Sequence, residues 1–346
     1  MMNQATPLTT GRKKWRLVRA FLAGRPIWCS WQVTYRCHFR CRICSYWKEP
    51  HAAAEELSVP QFERGSANLA QNGSMLVNLA GGEPLLRKDL DAVVEALARR
   101  HFPFLTTNGW GTTADRAREL WKAGLWGVSI SVDYADALRH DAQRGRSGAL
   151  AEAVHAVEVF RDTRTAAHQR VNIMAVLTAD NQDGLEDVVA MAERFGVHFM
   201  VQPYGILKTG DESHRPRPPV SERLLDLRRR YRAFLSNPYF LARFDAALDG
   251  GVGGCCAGRA TFNIDQRGQV AKCVEDRSHP VGSIVDTPMS TLRARLRAAW
   301  RENRCRACWY NCRGEVEALY RPRGLVAALP MLLAKSPGGR LGRPVG

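Results

Sequence analysis

The chain has 346 residues, with 50 lysines and arginines against 34 aspartates and glutamates, for a formal net charge of +16. That length accommodates one large α/β domain plus a smaller one, and the charge points to an anionic partner: nucleic acid, an acidic membrane surface or acidic electron-transfer proteins. A short disulfide scaffold is excluded, because nine of the ten cysteines fall in tight groups, the pattern of metal binding in a reducing compartment.

No apolar signal segment opens the sequence, and no run of about twenty apolar residues is present. The expected location is therefore cytoplasmic. Residues 1–27 carry Arg12, Lys13, Lys14, Arg16, Arg19 and Arg25 and no acid, interleaved with Trp15, Leu17, Val18, Phe21 and Leu22. Coiled as a helix, this segment suits either an anionic membrane interface or a solvated helix packed on the outside of the main domain.

Trp28-Cys29-Ser30-Trp31-Gln32-Val33-Thr34 is rich in aromatic and β-branched residues and predicts a strand. Beyond it come Cys37, Cys41 and Cys44, spaced by three and then two. Thiolates are soft ligands suited to iron–sulfur clusters or zinc. Three of them leave one iron of a cubane open to something that is not protein; a zinc knuckle or buried structural cysteines are the other readings.

The spacing resembles the radical S-adenosylmethionine (radical SAM) superfamily, whose C-x3-C-x2-C motif has an apolar or aromatic residue just before its last cysteine, here Ile43. The resemblance implies a [4Fe-4S] cluster on Cys37, Cys41 and Cys44. Its open iron would chelate S-adenosylmethionine (SAM), and reductive cleavage would give a 5′-deoxyadenosyl radical that abstracts hydrogen. Reduced flavodoxin or ferredoxin would supply the electron. Farther on, a predicted strand from Met75 to Leu79 ends in Ala80-Gly81-Gly82-Glu83-Pro84. This resembles the second motif of the superfamily, and implies that Gly81, Gly82 and Glu83 bind the amino group of SAM.

A helix starting at Ser58 precedes that strand. Helices over 89–100, 115–124, 148–163 and 185–195 then alternate with strands over 104–107, 127–133, 171–177 and 198–203. Strand–helix repetition predicts parallel strands with right-handed crossovers. Six strands match the partial (β/α)6 barrel that the resemblance implies. Ser131, Asp133 and Arg144 sit where similar enzymes hold the SAM carboxylate and ribose, although Asp133 and Arg144 can equally pair with each other. Asn108, Gln202 and Tyr204 lie at other strand ends.

Pro216, Pro218 and Pro219 among charges mark a linker from Lys208. A basic helical stretch around Arg228 is read as a solvated face, so nucleic acid is not the expected partner. A hairpin signal around Gln266-Arg267-Gly268 is flanked by Cys255, Cys256 and Cys273, and Cys305, Cys308 and Cys312 follow. By spacing alone this second group holds either zinc or a cluster. It resembles the SPASM and twitch extensions of radical SAM enzymes, and the shorter form implies one auxiliary [4Fe-4S] cluster. Cys256 and Cys273 are the expected ligands, with two more from Cys305, Cys308 and Cys312; Cys255 is expected to be spare and Cys29 to lie in the core.

The implied organisation is a basic segment 1–27, a barrel 28–207, a linker and helix 208–250, an auxiliary-cluster domain 251–316 and a basic apolar tail 317–346. The two basic, apolar ends favour a lipid or other membrane-associated substrate and a peripheral place on the inner face of the membrane. A maturase of ribosomally made peptides is the alternative, set second because fewer than about thirty residues precede the first strand, too few for a peptide-recognition domain. RNA modification stands third, and a zinc-bound nucleic-acid-binding protein is the non-enzyme rival.

Overall fold

Cys29, Trp31 and Val33 are fully buried, while Trp28, Ser30 and Gln32 between them line a cavity. Such alternation turns one face of a strand to helices and the other to a lumen. The same rhythm runs through the strands that follow. The structure, a computed structural model, describes residues 7–333. Lys335, Arg340 and Arg343, counted above toward a basic tail, lie outside the described residues.

Helix α1 (Thr10–Leu22) leads into β1 (Trp28–Thr34), α2 (Val59–Leu69), β2 (Leu76–Gly81), α3 (Leu90–Ala98), β3 (Phe102–Thr107), α4 (Ala114–Lys122) and β4 (Gly127–Ser131). Then come α5 (Ala137–Arg144), α6 (Ala149–Asp162), β5 (Arg170–Leu177), α7 (Leu185–Phe195) and β6 (His198–Pro203). Three further helices, α8 (Ser221–Arg230), α9 (Pro238–Leu241) and α10 (Phe244–Leu248), precede β7 (Thr261–Ile264), β8 (Gln269–Ala271) and β9 (Gly282–Ser283). Helices α11 (Met289–Arg301), α12 (Asn311–Leu319) and α13 (Pro322–Leu333) complete the described chain.

The strands form one nine-stranded sheet in the order β6-β5-β4-β3-β2-β1-β7-β8-β9. The six expected strands are parallel throughout, as crossover helices require. The hairpin is where the prediction differs. Rather than forming a unit of its own, β7 pairs parallel with β1, from Trp28 opposite Thr261 to Trp31 opposite Ile264. Its turn is tied by Asp265 Oδ1, which accepts the N–H groups of Arg267 at 2.9 Å and Gln269 at 2.8 Å.

Helix α1 is amphipathic, as predicted, but some of its bases serve the fold. Lys13 is buried and donates to the carbonyls of Ala98 at 2.8 Å and His101 at 3.3 Å. Arg16 donates to the carbonyl of Ala70. Both reach the carboxyl ends of α2 and α3, where unpaired carbonyls carry partial negative charge. Phe21 packs on Tyr320 with ring centroids 5.0 Å apart. Among the described residues no helix is long and apolar enough to cross a membrane.

Helix α12 packs against both β1 and α9. Its buried Glu315 accepts the backbone N–H of Asn237 at 3.0 and 3.1 Å and lines the cavity. Burial pushes this carboxyl from its ordinary 4.5 up to about 7, against the pull of the Asn237 N–H. The unfolded chain therefore releases the proton near 4.5 and the folded chain near 7. Over that window the folded state binds more protons, so stability falls as pH rises and levels off above it. Replacing Glu315 by Gln should flatten that fall, by on the order of 1–3 kcal/mol; thermal unfolding across the window measures it, and a profile as steep as the parent's would refute the assignment.

Candidate functional site

The loop leaving β1 carries Cys37, Cys41 and Cys44 onto the wall of a cavity of about 910 Å³. Backbone bonds shape it: Phe39 N–H donates to Cys37 Sγ at 3.4 Å, and Cys44 N–H to the Cys41 carbonyl at 3.3 Å. Arg42 N–H reaches the Gln143 carbonyl at 2.9 Å, which anchors the loop on α5. Phe39, Ile43 and Tyr204 surround the thiols with apolar surface. Burial pushes Cys37 up to about 12, and Cys41 up to about 11 despite the Arg144 guanidinium beside it. These groups give up their protons only to a centre that supplies positive charge.

Opposite lies the glycine loop. Gly81 adopts φ +131°, and a Cβ on Gly81 or Gly82 would overlap the carbonyl oxygens of Thr34 and Arg36. The loop can therefore lie flat on the chain that leads into the cysteines, with Gly82 N–H and Glu83 N–H each 2.8 Å from those carbonyls. Glu83 is buried, and its Oε1 accepts from Leu85 N–H at 2.9 Å and Thr107 Oγ1 at 2.7 Å. Its Oε2 accepts Asn108 N–H at 2.7 Å, which leaves that oxygen one further lone pair. Asn108 in turn accepts Trp110 N–H at 2.9 Å.

Ser131 lines the same cavity at the end of β4. Asp133 and Arg144 are both buried and do pair, Oδ2 to Nη2 at 2.7 Å. Asp133 Oδ1 also accepts Val176 N–H at 2.9 Å. The Arg144 guanidinium lies beside Cys41, and its Nε is buried without a hydrogen-bond partner. That N–H on the cavity wall is available to a ligand carboxylate. The helix that presents it, α5, was not predicted. Its buried residues are His140, Gln143 and Arg144, so no apolar period marks it in the sequence. His140 Nδ1 accepts Asp133 N–H at 3.2 Å, and burial takes the ring down to about 3, keeping it neutral.

The second cysteine group is spread over three segments, at 255–256, 273 and 305–312. Burial, and then the thiols of Cys308, Cys273 and Cys255, push Cys312 well above its ordinary value. Cys308 is pushed up to about 12, by burial first and then by Cys255. Cys255, Cys273, Cys308 and Cys312 are thus close enough to act on one another's charge. Cys256, the expected ligand, is pushed up to about 11 by burial and then Glu317, and packs with Val316 and Tyr320. Its backbone is held by α12. Glu317 accepts the Cys256 backbone N–H at 2.7 Å, while Arg313 pairs with Glu317 at 3.1 Å and donates to the Val252 carbonyl at 2.6 Å. The neighbouring Cys255 is buried. Cys305, the other expected candidate, is exposed. Of the two adjacent cysteines, Cys256 is the one whose spacing to Gly268 and Cys273 the resemblance matches, and the carboxylate that holds its backbone is 61 positions away.

Cys312, Tyr310 and Val274 line the same cavity as the first three thiols. Among the described residues no group of three or more Cys, His, Asp or Glu is arranged to hold a single metal ion. A cubane makes a different demand, since each thiolate binds its own iron, and three thiols on the cavity wall with a second set of thiols that act on one another's charge are of the chemistry it takes.

Residues 31–192 match the family model described as the Radical SAM superfamily. The mycofactocin maturase MftC of Mycolicibacterium smegmatis is 30% identical over 272 residues, spanning 75% of this chain and 67% of that protein. The PqqA peptide cyclase of a Methylobacterium species is 26% identical over 327 residues, 85% of this chain and 83% of the relative. Among solved structures, Streptococcus suis SuiB bound to precursor peptide SuiA superposes with a TM-score of 0.65 at 15% identity, covering 90% of this chain and 76% of SuiB. The last is a likeness of fold. Taken with the cysteine loop and the glycine loop on one cavity, these matches place the chain in the radical SAM superfamily, as an enzyme that uses SAM and a [4Fe-4S] cluster.

Proposed function

We propose that this enzyme matures a ribosomally made peptide, using hydrogen abstraction at an unactivated C–H to oxidise, cross-link or form a C–C bond in it. The observation that carries the reading is the cavity lined by Cys37, Cys41 and Cys44 and also by Cys312 of the second group, so that one substrate can lie within reach of both. The names of the relatives, a maturase and a peptide cyclase, support a peptide over the lipid that the basic ends had favoured. The docking of Lys13 and Arg16 on helix ends gives those bases a role without any membrane.

Cys37, Cys41 and Cys44 would hold the SAM-binding cluster. Bound together, cluster and SAM supply the 5′-deoxyadenosyl radical. Glu83 would take the SAM ammonium on its spare lone pair, with Gly81 and Gly82 giving close backbone approach. Arg144 would hold the carboxylate through its free Nε–H, oriented by Asp133, with Ser131 beside it. Ile43 and Phe39 would wall the site against water. Cys255, Cys273, Cys308 and Cys312 would hold one auxiliary cluster with a thiolate for every iron, suited to exchanging electrons without binding substrate directly. Reduced flavodoxin or ferredoxin is the proposed donor. Toward the substrate, the lumen offers hydrogen-bonding side chains such as Ser129, Asn172 and Gln202, which suit a peptide backbone.

Cys41→Ala should abolish formation of 5′-deoxyadenosine from SAM by anaerobically reconstituted protein; retained cleavage would sink the cluster assignment. Cys255→Ala should lower the bound iron toward that of one cluster, whereas Cys256→Ala keeps the parent's content, as measured by iron quantitation and absorbance. The reverse outcome returns the ligand role to Cys256. The substrate class is tested by incubating the reconstituted enzyme with fractions of a deuterated cell extract. Deuterium should reach 5′-deoxyadenosine from the peptide fraction, and label arriving only from lipid would reject the peptide reading.

A further inference from the structure

Lys208 follows β6 in a stretch whose composition reads as the start of a linker, yet only 20% of its side chain is exposed. Its ammonium donates to the Tyr46 hydroxyl at 2.8 Å and pairs with Glu275 Oε1 at 2.9 Å. It also lies 6.0 Å from the centre of the Tyr310 ring. Tyr46 stands two residues past Cys44, Glu275 two past Cys273, and Tyr310 midway between Cys308 and Cys312. The Tyr310 hydroxyl rests on Gly205, where any Cβ would overlap it. One cation on the cavity wall thus meets the loop of the first thiol group and two of the three segments of the second.

Burial works against the charge of Lys208, but Tyr46 and Glu275 outweigh it and hold the ammonium protonated far above the ordinary lysine range. The other cations nearby have carboxylate partners of their own. Arg277 pairs with Glu49 at 3.2 Å, Lys272 with Asp276, and Arg313, which acts on Cys255 and Cys308, with Glu317 at 3.1 Å. Glu275 is among the charges that act on Cys273 and Cys312.

We propose that Lys208 is a fixed charge that sets the reduction potential of the auxiliary cluster relative to the SAM-binding one, by neutralising Glu275 beside Cys273 and Cys312. This rests on the reading of both thiol groups as cluster sites. Reduction adds negative charge to a thiolate-bound cluster, so a bare carboxylate at its edge disfavours the electron and a bare ammonium favours it. Lys208 is a positioning residue, since it acts through Glu275 and Tyr46.

The test compares the reconstituted parent with Lys208→Met, Lys208→Arg and Glu275→Gln by potentiometric titration followed by EPR. Lys208→Met should lower the auxiliary midpoint and Glu275→Gln should raise it. Each shift corresponds to about a tenfold change in the electron-transfer equilibrium, about 59 mV for one electron. Lys208→Arg should stay near the parent. Unmoved midpoints, or shifts of the same sign in Lys208→Met and Glu275→Gln, overturn the proposal. If Lys208→Met loses iron, Glu275→Gln decides, and a midpoint that fails to rise overturns it. A parent that takes up iron for one cluster alone overturns the reading beneath the proposal, and is told apart by iron content before any titration.

Discussion

Strand β1 is hydrogen-bonded on both edges, to β2 on one side and to β7 on the other. The rest of the molecule depends on that double ladder. The loop leaving β1 carries the first three thiols. The hairpin that β7 opens is bracketed by Cys255 before it and Cys273 after it. Register in a sheet is strongly specified where a face is buried, and Cys29 and Trp31 are wholly buried opposite Phe262 and Ile264. The relative placement of the two cysteine groups is therefore a property of backbone pairing and not of a flexible junction between domains.

Around that frame the loops are positioned by buried charge. Arg87 donates to the carbonyls of Val33 at 3.1 Å and Leu57 at 2.9 Å while pairing with Asp89 and Glu56, so the chain after Glu83 is tied to the exit of β1. Asp133 and Arg144 tie α5 to the end of β4, and Arg313 with Glu317 ties 252–256 to α12. Such pairs add little net stability, because desolvation offsets their attraction, but they tolerate only one geometry. The first two hold segments that line the cavity, and the third holds the segment that carries Cys255 and Cys256.

Much of this was legible in the residues. The six parallel strands announced themselves by β-branched runs between turn residues, and α7 matches its predicted range from Leu185 to Phe195. The glycine loop and the first three cysteines were readable because their spacing is local. What escaped was decided at long range or by polar residues. Helix α5 buries His140, Gln143 and Arg144 where a sequence pattern looks for apolar side chains. Lys208, in prolines-and-charge composition, looked solvated, although Glu275 awaits it across the fold. Between Cys255 and Cys256 the local spacing favours Cys256, whereas the contact that holds its backbone comes from Glu317, far away in sequence.

Glu83 has a further consequence. Three donors from two different segments fix its carboxylate before anything binds. In the role proposed for it, a ligand ammonium would meet an acceptor that has no rotamer freedom left to surrender, so little ordering cost would attach to that contact. Selectivity among molecules sharing the same amino head would then fall to the Arg144 guanidinium, whose unengaged N–H would test for a carboxylate at the correct reach.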